Sequence, residues 1–211
     1  MKPITKRIFI FSAVTAVSGL ILMGVGMGLG GRPGVLFSKE GIQTPYQEKK
    51  PYFQKKTQLD PFHTLNLSID SDAQIRVLPS NDKNYYIEYL LDGDYQKPHC
   101  EVTDDTLYFS QTDSQNFMVG MFGIQFGSSV QSEPSITLYL PEGTELKQTQ
   151  IYTSYGDISL SSANLGDASI ETASGNISLK DTTAKTLHLL LEDGDCLVDG
   201  VTADTFTLNN E

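Results

Sequence analysis

Ser154-Tyr-Gly-Asp-Ile-Ser-Leu160, Ala173-Ser-Gly-Asn-Ile-Ser-Leu179 and Glu192-Asp-Gly-Asp-Cys-Leu-Val198 are three versions of one phrase. Their glycines, Gly156, Gly175 and Gly194, recur every 19 residues. Two positions after each glycine stand Ile158, Ile177 and Cys196, and four after it stand Leu160, Leu179 and Val198. Fourteen after it stand Ile170, Leu189 and Leu208. Such a period marks a repeat architecture. Each unit holds two short alternating strands, here Asp157–Leu160 and Ala168–Thr172, and one unit cannot bury its apolar face alone. Units stacked about 4.8 Å apart turn each column into a continuous apolar ladder. Glycine suits a bend that needs positive φ, and the residues after it, Asp157, Asn176 and Asp195, can bond backbone groups there. The expected fold is all-β: a β-solenoid, or β-helix-like stack of short strands, with units of about 19 residues.

The same period of two extends upstream. His63–Ile69 alternates, with Leu65, Leu67 and Ile69 on one face, and Gln74–Leu78, Tyr85–Leu91, Thr106–Gln111 and Ser135–Leu140 read as further strands. Turn signals such as Pro79-Ser-Asn-Asp82 and Asp104-Asp105 separate them. No stretch after residue 60 has the pattern of an amphipathic helix, so residues 59–211 form the β-strand-repeat domain. Thr205–Leu208 matches the second strand of the last unit, which reads as an incomplete or capping coil.

Ser135-Ile-Thr-Leu-Tyr-Leu-Pro-Glu-Gly143, followed by the T/S-x-G-D/N-I-x-L units, resembles the putative-adhesin domain family of unknown function. That group comprises β-strand-repeat proteins of the bacterial envelope, including LiaG-like proteins, and the resemblance covers roughly residues 60–211. It implies an extracytoplasmic β-helix-like domain, often behind one membrane span and linked to envelope-stress operons. It implies no catalytic residues. Cys196 departs from the isoleucine of the other two units.

Residues 8–31 carry no charge. As a helix they span about 36 Å, enough for a hydrocarbon core of roughly 30 Å. Lys2, Lys6 and Arg7 precede the run, so residues 1–7 read as a cytoplasmic basic segment and 8–31 as a signal anchor. A cleaved signal peptide is the rival reading, although its apolar core is shorter. Gly24 with Gly28 and Gly26 with Gly30 match the spacing that lets membrane helices approach. Residues 32–58, with Pro33, Pro45, Pro51 and paired lysines, read as an extended linker. The expected address is the cell membrane, single-pass, with the C-terminal domain outside the cytoplasm.

The formal net charge of the 211 residues is −11, but it is unevenly placed. Residues 57–211 hold 24 acids against six basic groups, a net of −18. Nucleic acid needs a basic stripe and is excluded as a partner class. No P-loop, nucleophile elbow or zinc-protease motif occurs. His63, His99 and His188 lack zinc spacing. Glu192, Asp193, Asp195 and Asp199 read as solvated turn charges in preference to a calcium site. No metal, cofactor or catalytic residue is therefore expected. Cys196, in an inward column, reads as a buried thiol in preference to a disulfide with Cys100.

Phe117, Met118, Met121, Phe122, Ile124 and Phe126 interleave with glycines and form the candidate interaction patch, with a loop capping the stack as the structural alternative. Tyr85, Tyr86 and Tyr89 could line a sugar-binding face, although aromatic β-propensity accounts for them equally. The leading reading is a non-enzymatic envelope protein that binds a protein or cell-wall component, in an accessory role to envelope-stress signalling. A glycan-binding surface adhesin is the alternative, and a carbohydrate-active enzyme on a β-helix the third class. The ladder makes one immediate demand. Ile177→Asp places an unpaired carboxylate in the apolar column and is expected to cost about 4 kcal/mol or more, read as loss of the β-sheet circular dichroism transition at ordinary temperature.

Overall fold

The computed structural model describes residues 3–29, 36–38, 41–43, 50–93, 95–113, 117–118 and 133–210. They divide into two units. The first contains helix α1 (Pro3–Gly28) and the short strands β1 (Leu36–Ser38), β2 (Gly41–Gln43) and β9 (Phe117–Met118). The second contains the remaining strands: β3 (Tyr52–Leu59), β4 (Thr64–Ile69), β5 (Gln74–Pro79), β6 (Tyr85–Leu91), β7 (His99–Thr103), β8 (Thr106–Gln111), β10 (Ser135–Leu140), β11 (Gln148–Thr153), β12 (Ile158–Ser161), β13 (Asp167–Ser174), β14 (Ile177–Lys180), β15 (Thr183–Asp193), β16 (Cys196–Asp199) and β17 (Thr202–Asn210).

These strands build a β-solenoid-like fold from two open seven-stranded sheets. One runs β16-β14-β12-β5-β10-β6-β3 and the other β17-β15-β13-β11-β4-β8-β7. The 19-residue period sets the register. Ile158 pairs with Ile177 and Ile177 with Cys196, while Leu160, Leu179 and Val198 align in the same strands, all parallel. In the second sheet Ile151, Ile170, Leu189 and Leu208 form one column, and Thr149, Ala168, Leu187 and Phe206 another. Inward residues of the inner coils are closed off from water: Ile158, Leu160, Ile170, Ile177, Leu179 and Leu187 all have 0% exposure. Burying a side chain of this size is worth about 1.5–3 kcal/mol, so the columns supply the main driving force.

Two corners turn each coil. At the first, a Cβ on Gly156 would collide with the carbonyl of Ala73, one on Gly175 with the carbonyl of Gly156, and one on Gly194 with that of Gly175. Gly175 and Gly194 also have positive φ (157° and 142°), whereas Gly156 is not among the positive-φ residues. The glycines are therefore required first by the close stacking of backbones and only second by conformation. The residues after them tie one layer to the next. The Asn176 N–H donates to Asp157 Oδ1 (2.8 Å), and the Asp195 N–H to Asn176 Oδ1 (2.9 Å). The second corner is a left-handed column that the sequence motif did not disclose: Ser162 (φ 53°), Asp181 (φ 48°) and Gly200 (φ 63°), again 19 apart.

The stack begins earlier than the repeat. β11 and β12 rest on β4 and β5 in parallel register, Ile151 on Leu67 and Ile158 on Ile75. Beyond that coil the chain changes style. β6 pairs antiparallel with β10 and β3, and β7 antiparallel with β8. Phe62 and Tyr85 pack here at 4.9 Å between ring centroids, and Tyr89 meets Phe109 edge-on at 5.3 Å.

The expected linker 32–58 needs correction, because β1, β2 and most of β3 lie within it. β1 and β2 have three residues each, too few to show a period. β3 carries Lys55 and Lys56 and a register shift between Gln54 and Thr57, which breaks its alternation. Both are features of edge strands, which use lysines and bulges to discourage further pairing. The helix also begins before the expected boundary and includes Lys6 and Arg7.

Two glycines separate the stacking requirement from the conformational one. Gly143 has φ 78° with open space around its Cα, whereas Gly175 has φ 157° against a neighbouring carbonyl. Gly143→Ala is expected to cost about 1 kcal/mol of backbone strain, and Gly175→Ala at least about 2 kcal/mol more. Urea unfolding followed by far-ultraviolet circular dichroism measures the difference.

Candidate functional site

The sequence patch is only partly placed. Phe117 and Met118 form β9, with Met118 paired to Leu36 and Phe117 to Phe37 of β1. Met121, Phe122, Ile124 and Phe126 lie outside the described residues. The tyrosine face does not assemble. Tyr85 is buried against Phe62 and Tyr89 packs on Phe109, while Tyr86 points to the opposite side of β6.

Tyr86 belongs instead to a charged cluster on the outer face of the first sheet. The bulge in β3 aims Lys56 across that face, with Nζ 3.8 Å from the Tyr139 ring centre and 4.7 Å from that of Tyr86. The Tyr139 hydroxyl donates to Glu88 (2.6 Å) and the Tyr86 hydroxyl to Asp82 (2.6 Å). The bond to Glu88, followed by burial and the Glu88 charge, pushes the Tyr139 phenol up to about 12. The bond from Tyr86 holds Asp82 below the usual carboxylate range. Lys56 already fills the space between the rings, so the cluster fastens β3 to its sheet.

An open groove of roughly 260 Å³ lies where the first glycine corner meets β5 and the start of β10. Asp72, Gln74, Glu133, Pro134, Tyr155 and Asp157 line it. Tyr155 is 63% exposed and offers a ring face beside these polar groups. Gln74 Nε2 donates to Glu133 (2.8 Å), Arg76 donates to Gln74, and Asp157 Oδ1 accepts from Asn176. The lining is thus a set of acceptors held by neighbours, suited to hydroxyl-bearing ligands. Tyr95 lies in the field of Asp72; burial first, then Asp72, Asp113 and Asp92, raises its phenol to about 12.

The histidines and cysteines sit apart from this groove. His63 Nδ1 meets Asp105 Oδ1 at 2.6 Å, and Lys147 Nζ donates to Asp105 Oδ2 at 2.8 Å. Lys147 first and then His63 hold the Asp105 carboxyl down. Among the described residues no group of three His, Cys, Asp or Glu side chains is arranged to hold a metal ion. Cys100 and Cys196 are free thiols, each half-buried, and burial raises both. Cys196 keeps its inward column, yet it is less covered than Ile158 and Ile177 because β16 is the outermost strand of its sheet.

That outermost coil is the surface sequence reasoning missed. Leu197, Val198, Phe206 and Leu208 are 64%, 40%, 49% and 43% exposed. Three of them continue columns that are closed in the coils beneath. The 19-residue columns reach Val198 and Leu208 on β16 and β17, and among the described residues no strand covers them.

Residues 64–211, the span of this stacked fold, match the model of the Toastrack DUF4097 family. The chain belongs to that family. Its Toastrack domain is similar to the crystal structure of a putative adhesin from Bacteroides fragilis, at 13% identity, 77% coverage of each chain and a TM-score of 0.46. It is also similar to a putative adhesin from Parabacteroides distasonis, at 12% identity, 77% and 79% coverage and a TM-score of 0.38. A putative cell adhesion protein from Clostridium sporogenes aligns at 8% identity over 77% of this chain and 100% of that one, with a TM-score of 0.36. No curated protein matches the chain.

The Toastrack domain makes a spectroscopic prediction. A phenol with a raised pKa keeps its proton in the folded state after the unfolded chain would lose it near 10. Its stabilisation is complete below pH 10 and is lost as pH rises toward 12. Ultraviolet titration of the folded chain is expected to show Tyr95 and Tyr139 ionising near 12. Tyr139→Phe removes one phenol from that late fraction, and Glu88→Gln moves Tyr139 back toward 10.

Proposed function

We propose that the chain is a single-pass protein of the bacterial cell membrane whose Toastrack domain lies outside the cytoplasm. There it binds a protein or envelope component by contact, without catalysis, as an accessory to envelope-stress signalling. The observation that carries this reading is the pairing of two incompatible surfaces in one chain. Ile4–Gly26 is a 23-residue apolar helix, while residues 57–211 carry a net charge of −18. Every described side chain of the helix from Ile4 to Val25 is exposed, and a helix of this length and apolar character suits a hydrocarbon core. The acidic domain is soluble and repelled by anionic headgroups, which keeps it off the bilayer surface. In the sequence Lys49 and Lys50 stand between the helix and β3, while Lys55 and Lys56 belong to β3 itself.

A second reading, glycan adhesion, draws on the groove. An exposed tyrosine ring beside Gln74 and three carboxylates is the kind of lining that stacks on a sugar and accepts its hydroxyl protons. Tyr155→Ala distinguishes it, since only glycan capture depends on that ring.

The topology is testable on intact cells. Asp167 is exposed on β13, and a cysteine introduced there is expected to react with a membrane-impermeant maleimide above the labelling of the parent chain. Crosslinking before lysis is then expected to co-purify a discrete envelope partner. Protection of the cysteine until lysis would overturn the proposed address.

A further inference from the structure

Each coil of the Toastrack domain receives its successor through the same three devices, and β16 and β17, the outermost strands among the described residues, leave all three open. The first is backbone. Among the described residues nothing pairs with the outer edge of β16 or β17, leaving each strand a row of unpaired groups. The second is apolar. Val198, Phe206 and Leu208 are 40%, 49% and 43% exposed, whereas their predecessors Leu179, Leu187 and Leu189 are at most 1% exposed. The third is the corner. The Gly156 carbonyl lies against the Cα of Gly175, and the Gly175 carbonyl against that of Gly194. Whatever rests on the Gly194 carbonyl must also lack a Cβ at that point. Asp157 accepts the N–H of Asn176, and Asn176 that of Asp195, so the Asp195 carboxylate is the next acceptor in the series.

These features specify an occupant. It is extended polypeptide, because the unmet partners are backbone groups and one carboxylate placed to take an N–H. It carries glycine at the corner and alternating apolar residues beyond it. Its charge follows from the rim: Glu192, Asp193, Asp195, Asp199 and Asp204 are all exposed on or beside these strands. Two copies meeting at this end would oppose five acids to five, which is repulsive across a strand pair. We propose that the β16–β17 edge docks an extended, basic segment of a partner protein, which adds one further coil in parallel register. This names the contact surface for the binding role proposed above and rests on that role.

The test uses the full chain in detergent micelles and a synthetic 19-residue peptide copying Ala173–Leu191, which has the corner glycine, the apolar alternation, and Lys180 and Lys185. At saturating peptide, amide hydrogen exchange over Cys196–Asp199 and Thr202–Asn210 is expected to slow about tenfold, with β8 and β13 unchanged. The same peptide with Gly175→Val is expected to give no slowing. Leu208→Lys in the protein is expected to abolish the effect, and unchanged exchange in β13 and β14 verifies that this variant is folded. Equal slowing by the valine peptide, slowing spread over all strands, or no slowing at all would overturn the proposal. So would self-association of the chain without peptide, lost in Leu208→Lys, since the edge would then serve a second copy. Crosslinking in cells separates this surface from the binding role itself. A partner captured equally by parent and Leu208→Lys chains preserves the role and removes this edge as its site.

Discussion

Backbone approaches backbone at one corner of every coil so closely that no side chain fits between the layers. Ala73, Gly156, Gly175 and Gly194 mark that line, each carbonyl facing the Cα of the next residue in the series. The spacing there fixes the rest of the domain. It brings the strands into parallel hydrogen-bonding distance and places Ile75, Ile158, Ile177 and Cys196 over one another. It also lets Asp157 and Asn176 reach the layer that follows. A change at this corner acts on a whole ladder, because columns in a one-dimensional stack share their register with every neighbour.

The sequence made this visible where the period was regular and hid it elsewhere. Gly156, Gly175 and Gly194 announce three coils, and the apolar columns beside them identify the interior. Gln148–Thr153 belongs to the same series, with Ile151 standing 19 residues before Ile170, but it precedes the first glycine phrase and gave no motif. β4 and β5 share the fold without sharing the period, because β6, β7, β8 and β10 intervene before the chain returns to them. The edge strand β3 was obscured by the bulge and lysines that protect it. The left-handed column at Ser162, Asp181 and Gly200 was hidden for a different reason. Three residue types satisfy one backbone conformation there, so identity does not repeat although geometry does.

The surfaces that bear on function were less legible than the core. A tyrosine run in β6 splits between interior and exterior, since alternation sends neighbouring side chains to opposite faces. The polar groove gathers Asp72, Glu133 and Tyr155 from distant parts of the chain, which no local spacing encodes. Exposed apolar residues on β16 and β17 read as interior in the sequence, because they obey the interior pattern, yet among the described residues no strand covers them. A repeat therefore records how each layer is made and leaves the exposure of any one layer to be read from geometry.

The long detour between the first coil and the second bears on how the domain reaches its native state. Leu67 lies against Ile151 and Ile75 against Ile158, contacts separated by 84 and 83 positions in the chain. The later coils need loops of only 19 residues. Loop closure disfavours the distant pairing and folding slows as contacts lengthen, so β11–β17 can assemble among themselves before β4 and β5 join. During synthesis the order of appearance is the reverse. β4 and β5 emerge first, expose Leu65, Leu67, Ile75 and Val77, and wait for strands that are still unmade. For a chain that leads with an apolar helix, this interval between emergence and partner is when it is most open to wrong contacts.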